Sequence, residues 1–175
     1  MGRPAAFALL LSAGTAAAQS GLPDPLLSVD LTEVVTGIYC ADPASRPADP
    51  DVTGNEDTLY LSRTPDIIST ERQVPARVGM GFGIVYRLTP GGVDAPFDIS
   101  MTHPPLPGSD GTVTRWQSVY DIDGVRTDGW SFETPDAAQP GLWTLRGAHE
   151  GRQLFEVTFE VVPAAQRPDL ATACP

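Results

Sequence analysis

The chain has 175 residues, with 22 acids against 11 arginines, two histidines and no lysine, giving a formal net charge of −11 and a pI near 4.3. So acidic a chain lacks the clustered cations that displace counterions from nucleic acid, and anionic membrane surfaces repel it. Without lysine it has no Schiff-base or P-loop chemistry, and 17 glycines with 18 prolines suit a turn-rich β protein.

Residues 1–18 read as a secretory signal peptide. Arg3 supplies the positive region, residues 5–11 the apolar core, and Ala16-Ala17-Ala18 a small-residue cleavage site before Gln19. The apolar run is shorter than the roughly 20 residues needed to cross a bilayer. No later stretch approaches that length, so no membrane insertion is expected after cleavage, and the expected location is the periplasm or the cell exterior. In an oxidising compartment the only two cysteines, Cys40 and Cys174, are expected to pair. Closing so long a loop is worth roughly 4–5 kcal/mol in the chain-entropy model. Free thiols or a bond to another chain are the alternatives.

Period-two alternation dominates the rest. Leu27, Val29 and Leu31 alternate with polar residues, and apolar character resumes through Val34, Val35 and Ile38. Residues 41–57, rich in Pro and Asp, predict an irregular loop. A short strand follows at 58–62, then an irregular stretch with an edge strand around Ile67. Met80, Phe82, Ile84, Tyr86 and Leu88 share one face of a clearer strand, with Gly81, Gly83, Val85 and Arg87 on the other. Phe97, Ile99 and Met101 alternate again. A long strand is predicted over 112–122, then the Asp123-Gly124 turn and a short strand at Trp130 and Phe132. Strands at 142–148 and 153–162 flank the Glu150-Gly151 hairpin turn, with Phe155, Val157, Phe159 and Val161 inward.

Short strands at regular spacing, with no helical period outside the signal segment, argue an all-β sandwich of about seven to nine strands. A small β-barrel is the alternative. The expected organisation is a signal peptide at 1–18, one β-sandwich domain at 19–163 and an extended tail at 164–175.

The run Met80-Gly81-Phe82-Gly83-Ile84-Val85-Tyr86, the His103-Pro104 pair, and Pro140-Gly141-Leu142-Trp143-Thr144-Leu145 followed by Gly151-Arg152-Gln153-Leu154-Phe155 resemble a bacterial domain-of-unknown-function family, numbered 3859. The resemblance spans about 27–162. It implies an immunoglobulin-like sandwich in exported proteins and supplies no activity, cofactor or catalytic residue.

Candidate chemistry is sparse. His103 and His149 lack the three or four partners that zinc requires. Oxygen ligands make calcium the better metal hypothesis, with Asp49, Asp51 and Asp57 in the acidic loop and Asp121 and Asp123 at the turn as candidates. The plainer reading of both is a solvated connection and a hairpin turn. No G-x-S-x-G motif occurs and nothing marks a carboxylate pair, so a hydrolase is a minor alternative. Trp116, Tyr120, Trp130 and Trp143 could form a carbohydrate platform, although their strand positions suit a core. The expectation is a non-catalytic binding or accessory protein with no cofactor and an unidentified protein or glycan partner. Edge-strand pairing with another chain is open to any open sandwich.

Overall fold

The computed structural model describes residues 21–55 and 58–175. The expected signal peptide and Asp57 lie outside the described residues. In chain order the strands are β1 (Leu26–Leu27), β2 (Leu31–Cys40), β3 (Arg46–Pro47), β4 (Leu59–Tyr60), β5 (Ile67–Ser69) and β6 (Gln73–Ala76). They continue with β7 (Met80–Leu88), β8 (Phe97–Thr102), β9 (Val113–Ser118), β10 (Arg126–Ser131), β11 (Gly141–His149) and β12 (Arg152–Pro163). Two single-turn helices, α1 (Pro50–Thr53) and α2 (Pro168–Ala171), sit in the acidic loop and the tail.

The long strands form two antiparallel sheets facing each other. One has the order β1-β12-β11-β8-β9, with β6 joined in parallel to β12; the other has the order β10-β7-β2-β5. Neither closes on itself, so the structure is the expected sandwich and not the alternative barrel.

Alternation explains the core. Phe155, Val157, Phe159 and Val161 of β12 point inward and are buried, as are Met80, Phe82, Ile84 and Tyr86 of β7. Trp143 of β11 is fully buried between the sheets, edge-on to Phe82 at 5.8 Å, and its indole N–H donates to the Gln139 carbonyl at 2.9 Å. A buried indole whose one polar atom is satisfied contributes its full apolar surface at little polar cost.

Three local expectations change. The strand expected over 112–122 ends at Ser118, because the chain there leaves the first sheet, turns through an Ile122–Val125 bridge, and enters the second. Asp123 takes φ 55° and Gly124 φ 74°, as that turn demands. The acidic loop is not wholly irregular: β3 pairs with β4, and α1 starts on Asp49, whose side chain accepts from the Asp51 N–H at 3.0 Å.

The tail is also not extended. A 3-10 turn at Ala164–Gln166 and α2, with Pro168 in its first turn, fold it back onto β6. Leu170 and Cys174 are buried, and Cys40 and Cys174 are joined in a disulfide across 134 positions. Arg77 donates to the carbonyls of Ala171 at 2.6 Å and Cys174 at 2.8 Å, which satisfies the chain end.

Candidate functional site

The strands β9 and β10 are consecutive in the chain yet end different sheets, so the sandwich has an open side where their free edges adjoin. The acidic loop crosses that opening. Its helix α1 packs on β9, and Asn55 donates from Nδ2 to the Arg115 carbonyl at 2.9 Å. Beneath the loop a cleft of about 440 Å³ runs along β10, walled by Leu59 of β4 and Leu61 just after it, Thr114 and Trp116 of β9, and residues 127–131. A smaller hollow of about 70 Å³ continues it past Tyr60 and Tyr120.

Inward alternation of β10 places Arg126, Asp128 and Trp130 on the face toward the other sheet. Asp128 is buried at the cleft floor and accepts from the Tyr86 hydroxyl at 2.9 Å and the Ser118 hydroxyl at 3.0 Å. Burial raises the Asp128 carboxyl above the usual carboxylate range, and the Tyr86 and Ser118 hydrogen bonds offset only part of this. The same burial, together with the neighbouring Asp128 charge, pushes the Tyr86 hydroxyl up. Arg126 is buried beside them, over the Phe97 ring at 5.1 Å and 3.7 Å from Asp121.

The other face of this sheet is built around glycine. Gly37, Gly83 and Gly129 lie in register across β2, β7 and β10. Tyr39 is nearly fully buried there, its ring on Gly81 and its hydroxyl beside Gly129. Burial pushes that hydroxyl up to about 12.

The polar groups on the β10 edge follow from bonding parity. Phe132 donates its N–H to the Met80 carbonyl at 2.8 Å. Antiparallel bonding alternates along a strand, so Trp130 and Asp128 share that orientation toward β7. The N–H and C=O groups of Thr127, Gly129 and Ser131 therefore face away from β7, toward the cleft side. The equivalent argument for β9 starts from the His103 N–H to Thr112 carbonyl bond at 2.9 Å and turns Val113, Arg115 and Gln117 outward. Asn55 occupies the Arg115 carbonyl there. Half-buried Trp130 also lines the cleft, its ring tilted against those of Trp143 and His103, and its buried Nε1–H has no hydrogen-bond partner among the described residues.

Among the sequence-derived candidates, the structure brings together Cys40 and Cys174. The acids expected for calcium serve local turns: Asp49 caps α1, Asp51 sits in its first turn, and Asp121 accepts from the Gly124 N–H at 3.0 Å. The Asp123 carbonyl accepts from Arg87 at 2.9 Å. Among the described residues no group of three or more His, Cys, Asp or Glu side chains is placed to hold a metal ion. His103 is buried between the Pro104 carbonyl at 2.8 Å and the Thr114 hydroxyl at 3.0 Å, whereas His149 lies by the Pro96 carbonyl. Of the aromatics, Trp143 is core, Trp116 and Trp130 wall the cleft, and Tyr120 stands edge-on to Tyr60 at 4.9 Å.

Sequence reasoning missed Asp128, Tyr39, Tyr86 and Ser118 as a site. One signal was available: extending the alternation of Phe132 and Trp130 backward puts Asp128 and Arg126 on a core-facing strand face, where a charged pair is unusual.

A protein-family model described as Domain of unknown function (DUF3859) matches residues 27–161. An immunoglobulin-like protein from Pseudomonas aeruginosa, known from a crystal structure, is similar in fold with a TM-score of 0.51 and 17% sequence identity. That likeness covers 82% of this chain and 100% of the other. No curated protein matches the chain.

Proposed function

The chain belongs to the DUF3859 family, and on that premise we propose that it is an exported, non-catalytic binding protein of the periplasm or cell exterior whose ligand occupies the β9–β10 cleft. The observation that carries this reading is the Trp130 indole of the cleft wall, whose buried Nε1–H has no hydrogen-bond partner among the described residues. A buried donor without an acceptor costs about 1–3 kcal/mol, and a ligand acceptor removes that cost. Export is supported by the Cys40–Cys174 bond, which persists in oxidising compartments.

A binding role fits the cleft better than hydrolysis. The Asp128 carboxylate already accepts from two hydroxyls, and His103 is held by Pro104 and Thr114. Both are tied into packing, which suits a rigid wall more than a group that must trade protons with a substrate. The test is a fragment screen read on the indole N–H resonances of isotope-labelled protein. Fragments bearing a hydrogen-bond acceptor should shift the Trp130 indole resonance more than that of Trp143. Hits that leave the Trp130 resonance in place contradict the reading.

A further inference from the structure

We propose that the cleft takes an extended segment of a partner polypeptide, free of acidic residues, added as a new strand along β10. The inference rests on the cleft being the binding site and adds the class of ligand it recognises.

Thr127, Gly129 and Ser131 offer an N–H and a C=O each toward the cleft side, at every second residue of a strand that ends its sheet. That row repeats at about 6.6–6.8 Å, twice the rise per strand residue. A polypeptide backbone presents the complementary row at the same repeat; a sugar chain does not. Natural edge strands are blunted by charges, prolines, bulges or a covering loop, and β10 carries Arg126 and Asp128 on its inward face. Its outward positions Thr127, Gly129 and Ser131 carry neither charge nor proline, and its pairing with β7 runs without a register shift, so the backbone row itself is intact. The neighbouring β9 edge is treated differently, because Asn55 occupies its Arg115 carbonyl.

Charge narrows the partner. The cleft lining includes Asp128 and Glu133 and no arginine among the described residues, on a chain of net charge −11. An acidic segment meets repulsion there, and a segment with lysine or arginine meets attraction.

The test uses a random peptide library displayed on phage, selected on the disulfide-bonded protein and counter-selected on Thr127→Pro, which deletes one outward N–H that β7 does not use. A selected peptide is then synthesised with and without N-methylation of alternate amides. The proposal expects selected sequences poor in Asp, Glu and Pro, and at least tenfold slower exchange of the Thr127, Gly129 and Ser131 amides in the complex. It also expects at least tenfold loss of affinity on N-methylation. Peptides that bind without protecting those amides, or that tolerate N-methylation in every register, overturn strand addition. If no peptide is selected while maltotetraose or an acceptor fragment shifts the Trp130 indole, strand addition fails and the cleft survives as a small-ligand site. If nothing perturbs the Trp130 indole, both readings fail together.

Discussion

The Tyr39 ring lies so close on Gly81 that a β-carbon at position 81 would overlap its edge, well inside van der Waals distance. The two residues are paired in register across β2 and β7, which explains the glycine at 81; at Gly83 it is the Asp128 and Gly129 backbone of β10 that leaves no room for a side chain. Tyr39 is thereby held flat on the sheet, its hydroxyl beside Gly129, and forms part of the cleft lining.

Gly81→Ala should therefore destabilise the domain by about 1–3 kcal/mol, the usual cost of overpacking. In a Tyr39→Ala background the same change should cost less than about 1 kcal/mol, because the ring it strikes is gone. Denaturant unfolding of the four proteins in this double-mutant cycle measures the difference. Equal costs in both backgrounds would show that the ring contact is not what excludes a side chain.

The alternation of Gly81 and Gly83 against Phe82 and Ile84 was legible in the sequence, and so was the inward face of β12. Both depend only on neighbours two residues apart. The reason for glycine was not legible, since Tyr39 reaches position 81 through strand pairing, which local pattern does not encode. The same limit hid the cleft. Nothing in residues 112–132 announces that β9 and β10 close different sheets, and Asp128 read as one more acid in a chain full of them. The folded-back tail was not legible either, because Leu170 burial and the disulfide from Cys174 to distant Cys40 decide its path, and local pattern encodes neither.

Acidity should affect stability in two opposed ways. Burial raises the Asp128 carboxyl, so the folded state binds that proton more tightly than the unfolded chain, and this contribution to stability falls as pH rises through the window above 3.8. Asp30 and Asp169 are shifted downward by hydrogen bonds from Ser28 and Arg167 respectively, so their contributions are present above 3.8 and are lost as pH falls below it. Asp128→Asn keeps an oxygen for Tyr86 and Ser118 and removes the titrating group. Its melting temperature should decline less between mildly acidic and neutral pH than that of the parent protein. Identical slopes contradict a raised carboxyl.

The two neighbouring indoles should respond differently to loss of their N–H. Trp143 donates to Gln139, whereas the Trp130 N–H has no acceptor among the described residues. Trp143→Phe should cost about 2–4 kcal/mol, combining a cavity with an orphaned carbonyl. Trp130→Phe should cost at least about 1 kcal/mol less, because removing an unsatisfied donor offsets part of the smaller ring. Thermal or denaturant unfolding at one pH separates them. A larger cost at Trp130 would place a partner on its N–H in the free protein.

The tail bond should matter for stability beyond the tail. Native protein should yield no alkylatable thiol, and replacing both Cys40 and Cys174 with serine should cost about 2–5 kcal/mol. Because Arg77 also holds the Ala171 and Cys174 carbonyls, the variant's tail should keep partial protection from carboxypeptidase digestion, which Arg77→Ala in the same background should abolish.

Amide hydrogen exchange along β10 in the ligand-free protein bears most directly on the unpaired edge from which the cleft draws its binding capacity. The Asp128 and Trp130 amides, bonded to β7, should be protected by at least a hundredfold relative to those of Thr127, Gly129 and Ser131. Uniform protection of all five amides would mean that the edge is already paired, and the cleft would then have no row of backbone groups to offer a partner.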